Sequence, residues 1–236
     1  MVLACDVVRW RLRSQNILAL VVRLKNDMYP HLVYAFMDGG YLRESAHDFG
    51  QCLVDPRKLA VRIVETVEVQ TWAANPGTTF NSVLARVTYY DALPDETDPN
   101  ETPDAKAAKA AELKDYWRAV ELLPDTHLGF GKLVGTGQRL RQKAVDTLLA
   151  TDMLVGAFSG LFDIALLVTG DADFVPVVEE VKRRGVMVVV AVAKTGQSVS
   201  DDLIRVADRY VDLTANQWHE MKADERTWKP DRDREI

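Results

Sequence analysis

Aspartates recur in this sequence where apolar runs stop. Phe36-Met37-Asp38-Gly39-Gly40 closes the first such run, and Thr169-Gly170-Asp171-Ala172-Asp173-Phe174 closes a later one, Ile164 to Val168. A third position, Asp146, follows a glycine-rich basic stretch, and Asp152 comes after it on the same segment. Each has a structural use on its own: Asp38 and Asp171 could make turns, Asp173 could cap the helix behind it, and Asp146 could sit against a helix dipole. Brought to one place, Asp38, Asp146, Asp171 and Asp173 would repel one another unless a cation neutralised them. An all-carboxylate oxygen set selects a hard ion, Mg²⁺ or Mn²⁺. Asp152 is a second-tier ligand, because on a helix it is rotated about 120° from Asp146. A bond to backbone or to a basic side chain suits it as well.

These carboxylates need a scaffold that gathers them. From His31 onward, apolar strand-like runs alternate with helical segments, the mark of βαβ units and an α/β fold with a mainly parallel sheet flanked by helices. Strands are expected at Leu32–Met37, Ser82–Tyr90, His127–Val134, Asp163–Thr169, Val186–Ala193 and Tyr210–Leu213, and helices at Pro56–Val69, Pro103–Leu122, Ala144–Phe158, Phe174–Arg184 and Val199–Asp208. The runs Ile164 to Val168 and Val186 to Val192 are apolar throughout, as central parallel strands buried on both faces are. In such a sheet the carboxyl ends of the strands face the ligand crevice, which places Asp38, Asp171 and Asp173 along one edge. Residues 1–30 read as an N-terminal appendage, 31–215 as the main domain with an insert at 91–114, and 216–236 as a charged C-terminal tail.

The chain has 236 residues, 47% hydrophobic and 27% charged, which suits one large α/β domain and excludes wholesale disorder. Its two cysteines, Cys5 and Cys52, exclude a disulfide framework and a CxxC zinc site, so a reducing cytoplasm is the simplest compartment. No apolar run approaches the ~18 residues that cross a bilayer, so no membrane partner is expected. His31, His47, His127 and His219 share no short ligand spacing, which argues against a zinc hydrolase. The net charge of −6 hides two opposed patches. Lys132, Arg139, Arg141 and Lys143 lie in a glycine-rich stretch without an acid, whereas Asp91 to Asp104 carries six acids and three prolines. The acidic stretch could dock a partner or pair two copies into a homodimer.

Four blocks carry a family resemblance: Phe36-Met-Asp38-Gly-Gly-Tyr41; Lys143-Ala-Val-Asp146 with Asp152 after it; Thr169-Gly-Asp171-Ala-Asp173-Phe174; and Ser200-Asp-Asp-Leu203 with Ala207-Asp208. In order and spacing they resemble the NYN domain of the LabA/DUF88 type, within the PIN-like nuclease superfamily, over roughly Leu32 to Leu213. The resemblance implies a PIN-like three-layer sandwich and a metal-dependent ribonuclease. Asp38, Asp146, Asp171 and Asp173 would be its catalytic and metal-binding acids, Mg²⁺ or Mn²⁺ its cofactor and single-stranded RNA its partner. It also implies products with 5′-phosphate and 3′-hydroxyl ends. Lys143, Arg141, Arg139 and Lys132 are the expected RNA contacts, and Ser200 belongs to the last polar block, where helix capping explains it equally well. Ala144 stands where many members have glycine, and Tyr41 where many have asparagine.

Other readings are weaker. A phosphatase of the haloacid dehalogenase type needs a second aspartate two positions after the first, and Gly40 stands there. A response-regulator receiver lacks its phosphoacceptor on the third strand. From a different class comes a non-catalytic module that keeps the fold and binds RNA or protein without cutting it.

Overall fold

The computed structural model describes residues 30–50, 53–74, 81–92, 102–131, 138–193 and 199–223. Among them six strands form one sheet: β1 (His31–Asp38), β2 (Ser82–Asp91), β3 (Thr126–Phe130), β4 (Ile164–Val168), β5 (Met187–Ala193) and β6 (Arg209–Leu213). The spatial order is β3-β2-β1-β4-β5-β6, and every neighbouring pair is parallel. The helices are α1 (Gly39–Asp48), α2 (Pro56–Ala74), α3 (Pro103–Glu121), α4 (Gln138–Phe158), α5 (Val175–Arg183), α6 (Asp201–Val206) and α7 (Ala215–Glu220), with a 3-10 turn at Ala172–Phe174.

Period-two alternation divides the core between the two faces of the sheet. Met37, Val168 and Ala191 point to one side, where they meet Leu42 of α1, Ile63 of α2, Tyr116 of α3 and Trp218 of α7. Phe36, Leu167 and Val190 point to the other, against Leu149 and Met153 of α4, Val178 of α5 and Leu203 of α6. The result is a three-layer α/β sandwich. Every residue of β4 is buried, as an apolar run with helices on both faces requires.

The strand order also fixes where a ligand can enter. The chain runs outward from β1 through β2 to β3, then returns to the centre as β4 and continues outward on the opposite side. Beyond the carboxyl ends of β1 and β4 the connections diverge, and this switch point leaves a crevice.

The structure differs from the sequence expectations in four places. A helix absent from the sequence expectations, α1, opens on Gly39 and Gly40, with Asp38 as its cap. The third strand stops at Phe130, and the rest of the run assigned to it, Lys132 to Val134, lies outside the described residues. The helix carrying Asp146 starts at Gln138 rather than Ala144. The tail expected from 216 begins inside the fold, because Trp218 and Met221 are 0% and 2% exposed within the core, and Asp55 and Ala223 pair their amide N–H groups with Met221 and Leu53. The expected appendage lies outside the described residues, apart from Pro30.

Candidate active site at the carboxyl edge of the sheet

Asp38 is the last residue of β1 and the N-cap of α1. Its Oδ1 accepts the Tyr41 amide N–H at 3.1 Å, and its Oδ2 accepts the Thr169 hydroxyl at 3.1 Å. Thr169 is fully buried just past β4, so this carboxylate ties together the two strand ends that flank the switch point. Burial raises the Asp38 carboxyl above its ordinary value, and the two hydrogen bonds and the nearby Arg43 charge only partly offset that.

The loop after β4 turns on Asp171. Its amide N–H donates to Thr169 Oγ1 at 3.4 Å, and its Oδ1 accepts the Asp173 N–H at 2.9 Å, capping the 3-10 turn. It is Asp171 that caps here, not Asp173. Buried Phe174 anchors the turn while Asp171 and Asp173 stay exposed. Gly170 allows a close approach, since a Cβ there would lie 2.9 Å from the Tyr41 ring. The Tyr41 hydroxyl donates to the Ala193 carbonyl at 3.2 Å and accepts the Ala193 N–H at 2.7 Å. Burial pushes this phenol up to about 12. Tyr41 thereby bolts α1 to the end of β5.

Asp146 comes from the opposite layer. It sits more than two turns into α4, beyond the reach of the helix N-terminal dipole. Its half-buried carboxyl is raised from 3.8 to about 6, first by burial and then by the charges of Asp38, Asp171 and Asp173. Four carboxylates from three parts of the chain thus share one electrostatic site. Asp152 does not join them: it is exposed, and its Oδ2 accepts the Tyr90 hydroxyl at 3.0 Å. Ser200 stands beside the site, donating its N–H to the Gly170 carbonyl at 3.0 Å. Its hydroxyl, however, accepts from Leu203 N at 3.2 Å and caps α6. Arg139, Arg141 and Lys143 lie on the first turns of α4, but their side chains, and all of Lys132, fall outside the described residues.

Sequence reasoning missed Thr169, Arg43 and Asp91. Asp91 is not part of an acidic surface insert: it ends β2, is 1% exposed and pairs with Arg43. The signal lay in its place directly after the apolar pair Tyr89-Tyr90.

Among the described residues no three His, Cys, Asp or Glu side chains close around one point as a ready-made metal cage. A magnesium-type ion does not need one, since it keeps several waters and takes one or two carboxylates together with substrate phosphates. The donor set fits such an ion: its members are all carboxylates, and burial followed by their mutual repulsion raises Asp146.

The NYN domain model matches residues 32–214, and the chain belongs to the NYN domain family. Domains of this family are generally nucleases of the PIN-like kind and usually use divalent metals. Among solved structures the chain is similar to a protein of unknown function from Vibrio parahaemolyticus. The two are 17% identical with a TM-score of 0.49, over 79% of this chain and 95% of that one. No curated protein matches the chain significantly. No helix among the described residues is long and apolar enough to cross a membrane.

Proposed function

We propose that this chain is a metal-dependent ribonuclease that hydrolyses single-stranded RNA at the carboxyl edge of the sheet. The observation that supports it most is geometric: Thr169 bonds both Asp38 and the Asp171 amide at the switch point of the parallel sheet, and the Asp146 carboxyl opposite is raised first by burial and then by the charges of Asp38, Asp171 and Asp173. Such crowding disfavours the fully ionised site and rewards any divalent cation that neutralises it. Asp38 and Asp171 would hold the principal Mg²⁺ or Mn²⁺, with Asp146 and Asp173 completing the site directly or through water. A bound divalent ion supplies Lewis-acid polarisation of the phosphodiester and activation of the attacking water.

The chain's own work is positioning. The Thr169 hydroxyl and the Tyr41 N–H fix both oxygens of Asp38. The 3-10 turn holds Oδ1 of Asp171 and leaves the carboxylate on the exposed side of the crevice. Lys143 and Arg139 precede Asp146 by about one and two helical turns on α4, and cations at those positions would hold a phosphate backbone beside the acid. The products would carry 5′-phosphate and 3′-hydroxyl ends.

The test is to incubate an end-labelled single-stranded RNA with the protein in Mn²⁺ and in EDTA, then analyse the ends formed. Cleavage in Mn²⁺ alone, leaving a 5′-phosphate, is the expected result. Binding without cleavage under every divalent ion would instead identify a non-catalytic RNA-binding module.

A further inference from the structure

The acids leave unused a group of side chains on the β2–β3 flank of the same edge. Asp91 is buried and saturated: Arg43 Nη1 donates to its Oδ1, Trp117 Nε1 donates to its Oδ2 at 2.9 Å, and the Ala92 N–H adds a 2.8 Å bond to Oδ1. A buried ion pair is weak evidence for stability, because desolvation offsets its attraction, so its purpose is better sought in what it holds in place. What Asp91 holds is Arg43, whose side chain remains 31% exposed. The guanidinium carries five N–H donors in a planar fork, suited to carboxylate on one side and phosphate on another. Arg43 lies on α1 just beyond Asp38, close enough for its charge to act on that carboxylate.

Phe130 completes the group. It ends β3 directly opposite Asp91 in the register, and it is 43% exposed. Its ring packs edge-on against Trp117, with centroids 4.7 Å apart and planes at 65°. One indole therefore bonds the carboxylate that mounts the cation and sets the tilt of the exposed ring. Arg43 and Phe130 are thus mounted on one Asp91–Trp117 pair, and a cation with an exposed aromatic is the combination that single-stranded nucleic acids recognise, phosphate on the charge and base on the ring.

We infer that Arg43 and Phe130 form a subsite for single-stranded RNA beside the acid site, Arg43 taking a backbone phosphate and Phe130 stacking on the adjoining base. The inference rests on the ribonuclease reading and extends it along the β2–β3 flank. Every base offers a π-face, so the subsite grips without strong base preference.

Binding titrations in Ca²⁺, which suppresses turnover, test it with a single-stranded RNA and with an abasic ribose-phosphate chain of equal length. Phe130→Ala should weaken RNA binding at least about fivefold and leave the abasic chain unaffected. Phe130→Leu, which keeps the apolar contact with Trp117, should be as weak, and Phe130→Trp should restore binding. Arg43→Gln alone would strand the buried charge of Asp91, so it is combined with Asp91→Asn. The pair should lower the log–log salt slope by about 0.7. Unchanged RNA affinity in Phe130→Ala, with a parent that binds, would overturn the subsite while leaving the ribonuclease reading standing. A parent that binds no single strand would overturn both.

Discussion

Crowded carboxylates make this site costly to form without a cation, and that cost is measurable one residue at a time. The folded chain holds the Asp146 proton more tightly than the unfolded chain does, since its carboxyl is raised from 3.8 to about 6. Between those values the folded state binds more protons, so stability contributed by this group is full below about pH 4 and lost as pH rises through about 6. Melting curves in EDTA should fall across that window, and Asp146→Asn should flatten the fall; an unchanged slope in the variant would mean that Asp146 is not the group titrating. Asp171→Asn removes a charge from the same site at constant size. Without metal it should melt at or above the parent temperature, and a large drop would mark Asp171 as structural. Asp38, Asp171 and Asp173 stood out in the sequence because each follows an apolar run, and Asp146 because it follows the glycine-rich basic stretch. Asp91 did not, since a charged residue between a strand and a proline-rich acidic stretch reads as surface until the pairing of β1 with β2 is known, and Arg43 did not, since the helix that carries it went unread.

At the scale of elements, the β1–α1 junction carries the site. Helix α1 escaped sequence reading because it opens on two glycines and holds few apolar residues, while its start depends on the Asp38 cap. Gly39 is required by packing: a Cβ there would lie 2.7 Å from the Tyr90 carbonyl and 2.8 Å from Asp91 Cγ. Because one of those neighbours is backbone, Gly39→Ala should destabilise the protein by about 1–3 kcal/mol, read as a lower midpoint in urea. Midpoint and activity both unchanged would mean that the junction can shift freely. Tyr41→Phe tests the bolt to β5. Losing the hydroxyl leaves the Ala193 amide and carbonyl without that partner, at a cost of about 1–3 kcal/mol, and amide exchange at the end of β5 should quicken first.

For the whole molecule, strands were the easiest part to read, because all-apolar runs such as Ile164 to Val168 have few uses other than a buried parallel strand. The order β3-β2-β1-β4-β5-β6 was not readable, since each strand's neighbours are set by crossover packing rather than by its own composition. The far end of the domain was misjudged for a related reason. The charged residues after His219 masked Trp218, which is fully buried and packs against Phe49 with ring centroids 5.1 Å apart and planes tilted by 44°. Trp218→Ala should cost about 3–5 kcal/mol, and a chain ending at residue 214, where the family match ends, should be less stable than the full chain. At the other end, β1 begins at His31, whose N–H donates to the Asn81 carbonyl at 2.8 Å. A chain starting at Met28 should fold and keep metal-dependent activity, and its loss of solubility would show that earlier residues pack into the core.

The central claim is that these aspartates use a divalent ion to cut RNA, and one measurement meets it directly. Parent and Asp171→Asn, both confirmed folded by circular dichroism, are assayed on the same single-stranded RNA across a Mn²⁺ titration. The parent should cleave with saturable metal dependence and stop in EDTA, while the variant shows no cleavage at any concentration. Equal cleavage by the two proteins, or cleavage by the parent that survives EDTA, would contradict the account.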